Sequence, residues 1–179
     1  MSTPFQRILV PVDFARATDQ MIADGTALEI GEDLHIDVSP ASARSIEIAT
    51  GLCADGGEVR LLHATPALEQ GSIYGGASGL GGLSTAIDEI HANAHKAAIQ
   101  CLERLAADYR SDRITVSCHA THGVALKVVL ETAKAFPADL IVLAASGRSR
   151  VARFFLGSTA DRIIRESECP VLVLPTARE

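Results

Sequence analysis

Apolar positions in this chain fall into short unbroken runs, separated by stretches in which they recur every three to four residues. The first run, Ile8-Leu9-Val10-Pro11-Val12-Asp13, is closed by a carboxylate and predicts a buried strand. Val59-Arg60-Leu61-Leu62-His63-Ala64, Leu140-Ile141-Val142-Leu143-Ala144-Ala145 and Val171-Leu172-Val173-Leu174, the last stopped by Pro175, predict three more. Ile114-Thr115-Val116-Ser117-Cys118 alternates instead and reads as an edge strand.

Helical periodicity fills the gaps. Ile46, Ala49 and Cys53 follow Ser39-Pro40, where serine caps and proline suits the first turn, and Asp55-Gly56-Gly57 ends the pattern. A long amphipathic helix is predicted from Thr85 to Tyr109, carrying Ile87, Ile90, Ala94, Ala98, Cys101 and Leu105 on one face. Val129, Ala133 and Phe136 mark a third helix ended by Pro137, and Ala160, Ile163, Ile164 and Ser167 a fourth ended before Pro170. Near-continuous apolar strands alternating with helices mean an α/β fold, with a mainly parallel sheet covered on both faces.

Two segments break the alternation. Residues 65–84 read as a glycine-rich loop. Residues 15–38 read as an insertion, because Asp13-Phe14-Ala15-Arg16-Ala17-Thr18 and Asp37-Val38-Ser39-Pro40-Ala41-Ser42 echo one another like a strand-to-helix junction split in two. Inside it, Leu28/Ile30 and Leu34/Ile36/Val38 alternate around Gly31-Glu32-Asp33, which predicts an inserted β-hairpin with an acidic outer face. Residues 1–179 are expected to form one domain around it.

Composition narrows the function. The formal charge of −6 is concentrated in residues 13–37, which hold seven acids and one base, Arg16. That balance disfavours a nucleic-acid partner, which requires a basic face to displace counterions. The apolar runs are too short for a membrane helix, and Met1–Val10 lacks the layout of a secretory signal, so a cytoplasmic location is expected. Cys53, Cys101, Cys118 and Cys169 show no paired spacing and read as buried structural thiols.

In open parallel sheets, ligands bind beyond the carboxyl ends of the strands, which directs attention to Asp13 and to the segment from Ala144. That segment runs Ser146-Gly147-Arg148-Ser149-Arg150-Val151-Ala152-Arg153-Phe154-Phe155-Leu156-Gly157-Ser158-Thr159 into the last helix. Glycines admit a ligand close to the backbone, a helix N-terminus offers unpaired N–H donors, and arginines grip phosphates in a fork. Opposite them, Asp13 can accept from a ribose hydroxyl or an adenine amino group, so the two features together describe a nucleotide site.

These residues resemble the universal stress protein family. Its nucleotide-binding form carries G-x-x-G-x9-G-S/T, a helix and a C-P-V-L-V strand; this chain has Ala144-x-x-Gly147-x9-Gly157-Ser158, then Cys169-Pro170-Val171-Leu172-Val173. The opening strand and Leu61-Leu62-His63-Ala64 also match. The resemblance implies a five-stranded sheet in the order 3-2-1-4-5, a homodimer through Val171-Leu174, and ATP or another adenine nucleotide, with Mg²⁺ as a companion ion. By position, Pro11, Val12, Asp13 and Ala64 would surround adenine and ribose, while Gly147, Arg148, Gly157, Ser158 and Thr159 would hold phosphates. Ala144 replaces the first glycine of the motif, which implies weakened rather than abolished binding. Asp37 stays open as an alternative to Asp13 at the ribose.

No poised nucleophile and base are visible, so catalysis is expected to be absent or limited to weak ATP hydrolysis or autophosphorylation. The leading expectation is a nucleotide-binding stress-response or regulatory protein with an unknown client. The alternatives are an interaction module of the same fold that has lost nucleotide, and a slow ATP hydrolase. His91 and His95 stand one helical turn apart, a spacing that binds zinc when a third ligand arrives. His119 and His122 flank the end of the third strand, with His122-Gly123 expected to start the next helix.

Overall fold

The computed structural model describes residues 5–30, 34–65, 80–145 and 157–175. Five strands form the main sheet: β1 (Phe5–Pro11), β5 (Cys53–Thr65), β6 (Thr115–His122), β7 (Leu140–Ala144) and β8 (Val171–Leu174). Their order is β6-β5-β1-β7-β8, and every pairing is parallel. This is the expected 3-2-1-4-5 arrangement. The expected edge strand does lie at an edge, as β6.

Helices cover both faces, as parallel pairing requires. The pleat sends Ile8, Val10 and Val12 to the face covered by α2 (Pro40–Leu52) and α3 (Leu80–Ala106), where Ile46, Ala49, Leu102 and Ala106 complete one apolar cluster. Leu9 points the other way, toward α4 (Ala125–Ala135) and α5 (Ser158–Glu166), with Leu126, Val129, Ala160 and Ile163. No helix among the described residues is long and apolar enough to cross a membrane.

Local chemistry explains the boundaries. Ser39 caps α2 by accepting from the Ser42 N–H, and Pro40 opens the helix. The helix ends at Leu52 and β5 follows directly at Cys53, with Gly56 inside the strand at φ +79°. Gly57 is needed for a different reason: a Cβ there would stand 2.8 Å from the Gln6 carbonyl oxygen and 2.7 Å from Cys53 Sγ. Gly57→Ala is therefore expected to cost about 2 kcal/mol by forcing β1 and β5 apart, readable as a lower urea midpoint.

Several boundaries differ from the periodicity. α3 opens at Leu80 rather than Thr85, so residues 80–84 of the expected glycine-rich loop are helical, and the loop's remaining residues 66–79 lie outside the described residues. Glycine lowers helix propensity by about 1 kcal/mol without forbidding the conformation, and Gly81 and Gly82 carry no apolar periodicity to reveal it. Ile90 and Ala94 are exposed, and the burial of Ile87 lies outside what the structure describes; among the described positions the buried stripe begins at Ala98 and continues through Cys101 and Leu102. Ile164 also faces outward, and Ser167 caps α5 rather than lying within it. His122 ends β6 instead of starting a helix. Gly123, at φ +146°, breaks the chain before α4 begins at Ala125.

The insertion holds more structure than a hairpin. β3 (Leu28–Ile30) and β4 (Leu34–Val38) pair antiparallel as expected, with Leu28 opposite Ile36 and Ile30 opposite Leu34. On the other side of β4 lies β2 (Phe14–Arg16), and Thr18 caps a short helix α1 (Asp19–Ala23) between β2 and β3. Ile30 and Ile36 bury against Cys101 of α3, so this three-stranded sheet has its own small apolar seat. Glu29, Asp19 and Asp24 face outward, while Asp37 is half-buried.

Candidate functional site

Beyond the carboxyl ends of β1, β5 and β7 lies a cavity of about 290 Å³. Val12, Leu62, Val129, Leu143, Ala144 and Ile163 give it apolar walls, and Asp13, Ser42, His63, Ser158 and Thr159 bring polar groups to it. Pro11, Ala64 and Gly157 also line it. Eight residues singled out from the sequence thus meet at one place: Pro11, Val12, Asp13, Ala64, Ala144, Gly157, Ser158 and Thr159. Asp37, pairing with Ala15 in the inserted sheet, is not among the lining residues. Gly147 and Arg148, with Arg150 and Arg153, lie outside the described residues.

Two local arrangements give the site its polarity. α5 begins at Ser158 after Gly157, which caps it without a side chain, so among the described residues the first-turn N–H groups receive no side-chain cap. These donors and the positive end of the helix dipole meet the cavity. The Gly157 N–H donates to the Ala145 carbonyl at 2.7 Å, fixing the helix start beside the end of β7. Across the cavity, the Val12 N–H donates to the Leu62 carbonyl at 2.8 Å, which holds Asp13 at the strand end.

Ala144 belongs to β7 and pairs with Leu174. Its backbone is not in the left-handed region. The alanine is accommodated without strain, and what distinguishes it from glycine is the extra methyl at the cavity wall.

His63 and Ser42 carry more of the site than the periodicity suggested. His63 Nδ1 lies 2.8 Å from the Val12 carbonyl, so the ring donates from Nδ1. Its face stacks on Phe14 at 3.9 Å between ring centres, tying the root of the inserted sheet to the cavity wall. Ser42 is buried, with its hydroxyl 2.9 Å from that of Ser39. Serine two residues after a proline signals a helix start, but nothing in a linear pattern shows that the same turn faces β1 and β5.

All four cysteines are free thiols. Cys53 and Cys101 are buried as expected, whereas Cys118 and Cys169 are half-buried. Burial raises the Cys101 thiol to about 11; burial and then the Glu103 charge push Cys118 to about 12. Neither is a thiolate near neutral pH.

The histidines on the β6 side form a cluster. The His91 and His122 rings stack with centres 4.4 Å apart, and His95 lies 6.3 Å from His122. His119 is exposed, so partial desolvation, followed by the charges of Arg60 and His95, lowers its pKa with a solvent-screened and therefore small effect on stability. A histidine held below its unfolded value binds fewer protons when folded, so its contribution is full above the unfolded pKa near 6.5 and is lost as pH falls toward the folded value. The urea midpoint is expected to drop between pH 7.5 and 5.5, and less so in His119→Gln.

The match to the universal stress protein family model spans residues 34–175, most of the chain. The chain belongs to the universal stress protein family. Universal stress protein MJ0531 of Methanocaldococcus jannaschii is 30% identical over 88 residues, covering 49% of this chain and 50% of that one, so the match spans about half the length of that relative. Among solved structures, the hypothetical protein MJ0577 superposes with a TM-score of 0.71 at 17% identity, covering 99% of this chain and 100% of the other. A universal stress protein family protein from Arabidopsis thaliana, solved with AMP bound, superposes with a TM-score of 0.54 at 15% identity, covering 96% and 92%. At these identities, the structural likenesses establish the shared fold.

Proposed function

We propose that this member of the family binds an adenine nucleotide, with ATP the leading candidate, in the cavity at the ends of β1, β5 and β7, and acts as a homodimeric stress-response or regulatory protein. The observation that carries this reading is the meeting, in one cavity, of Asp13 on one strand end and the uncapped N–H groups of Ser158 and Thr159 on a helix start. The volume of about 290 Å³ is near the lower end of the roughly 300–1,000 Å³ of small-molecule pockets. It suits a nucleoside, whose base would pack against Val12, Leu62 and Leu143, with its phosphates directed at α5. The structural neighbour that carries AMP supports the ligand class.

In this reading, Asp13 accepts from the ribose, while Ser158 and Thr159 donate to phosphate, joined by Gly147 and Arg148. Mg²⁺ would neutralise phosphate charge when bound. Val171-Leu174 would form the dimer contact, because β8 is a sheet edge. The protein would act in the cytoplasm through a client protein, without catalysing more than weak hydrolysis.

The direct test is to denature purified protein, chromatograph what it releases, and then measure melting with ATP and Mg²⁺. Released adenine nucleotide, or about 2.7 kcal/mol of stabilisation at a hundred times the dissociation constant, is expected. If neither is seen, the interaction module takes its place, and steady turnover abolished by Asp13→Ala would indicate a hydrolase. Ala144→Gly is expected to tighten ATP binding a few-fold by removing the methyl. It would also lower stability by about 0.5–1 kcal/mol, because glycine weakens a strand. Calorimetric titration and urea melts separate these effects.

A further inference from the structure

We propose that His91, His95 and His122 form a binding site for one borderline divalent transition-metal ion of the Zn²⁺ class, separate from the nucleotide cavity. The spacing of His91 and His95 places both imidazoles on one side of α3, a geometry that chelates once a third ligand arrives. The fold supplies that third group. His122, at the end of β6, sits against both, with ring centres 4.4 Å from His91 and 6.3 Å from His95.

Among the described residues no three such groups stand already converged on one point, because His91 and His122 stack face to face. Two imidazoles on a tetrahedral zinc, each about 2 Å from the metal, have ring centres roughly 5 Å apart. The observed 4.4 and 6.3 Å straddle that value, so the ring separations match those of a shared ion, which the His91 and His95 rings would meet by exchanging their present contacts for the metal. His95 is exposed and its neighbours from Ala92 to Lys96 are too, which gives the rings room and the ion a path.

His122 is braced as a ligand would be. The buried Thr65 hydroxyl donates to the Thr121 carbonyl and contacts His122 Nδ1, while the ring also hydrogen-bonds to the His91 backbone, so a metal would take Nε2 in exchange for that backbone contact. An all-imidazole set selects zinc, nickel or copper over Mg²⁺ and Ca²⁺, which take oxygen ligands. Three protein ligands leave a fourth position for water or an external donor.

The test uses the full chain without a histidine tag or nucleotide, titrated calorimetrically with Zn²⁺ at pH 7.5 and followed by visible absorption with Co²⁺. One ion per chain and tetrahedral Co²⁺ bands are expected. His91→Ala, His95→Ala and His122→Ala should each weaken binding at least about tenfold, and Thr65→Val by about tenfold through loss of the ring's brace. His35→Ala and His119→Ala should leave it unchanged. His91 and His95 lie on the open half of α3, so their variants keep the native circular dichroism and report on ligation alone. Absence of Zn²⁺ binding, or binding that survives the His91 and His95 substitutions, would overturn the site whatever the fate of the nucleotide reading.

Discussion

Asp13→Ala is expected to remove half or more of the melting-temperature rise that the proposed ATP binding would give. Asp13 is exposed just beyond β1, and the Val12 amide beside it bonds to Leu62 through backbone alone, so the strand end is held without the Asp13 side chain. What the substitution removes is a charged acceptor facing the cavity, and hydrogen bonds to charged groups contribute about 1.5–3 kcal/mol. Affinity should therefore fall roughly 10- to 100-fold. At an ATP concentration a hundred times the native dissociation constant, stabilisation should drop from about 2.7 to about 0.4–1.4 kcal/mol. For a chain of 179 residues this means a shift of roughly 5–10 °C reduced to a few degrees. Asp37→Ala is the control that decides between the two carboxylates, and it should leave the shift unchanged. If Asp37→Ala instead removes it, the ribose contact has been placed on the wrong side of the insertion.

Leu9→Ala should produce the largest loss of stability. Leu9 is fully buried on β1, the central strand, and packs in the cluster formed by Leu62, Ile141, Val129 and Ile163. Strands flank it on both sides and helices cover its face, so the surroundings cannot collapse into the space left behind. Such truncations cost about 2–5 kcal/mol, which lowers the melting temperature by roughly 5–15 °C at this size. The matching substitution Ile90→Ala should change little, because Ile90 is 51% exposed. Urea melts of the two variants give the contrast directly, and equal losses would mean the first half of α3 is covered in solution.

Four strands of the main sheet were readable from the sequence as unbroken apolar runs, and β6, at an edge, by its alternation. β1 is apolar at Ile8, Leu9 and Val10 because each side chain meets a helix layer. The hairpin within the insertion was readable for the opposite reason, since its one buried face leaves Ile30 and Ile36 alternating with polar neighbours. β2 escaped notice because three residues, Phe14–Arg16, are too short to show a period; their strand conformation comes from pairing with Val38, Asp37 and Ile36. The first half of α3 escaped in another way. Ile90 and Ala94 have helical spacing, yet no element covers them among the described residues, so periodicity predicted burial that packing did not supply.

At the cavity, chemistry that resides in single residues or contiguous backbone could be read in advance: a carboxylate ending an apolar strand, and a glycine before a helix start. Pairings across the fold could not. His63 with Val12 and Phe14, Ser42 beside β1, and His122 against His91 and His95 join residues whose separations along the chain have no periodic signature. By itself the sequence determined the layered α/β architecture and the two halves of the candidate nucleotide site, because burial period and backbone type are local properties. Only the tertiary structure decided that Asp13 rather than Asp37 lines the cavity, that Ala144 sits in unstrained strand backbone, and that His122 lies against the helical pair His91 and His95, because each depends on which distant segments the sheet order brings side by side.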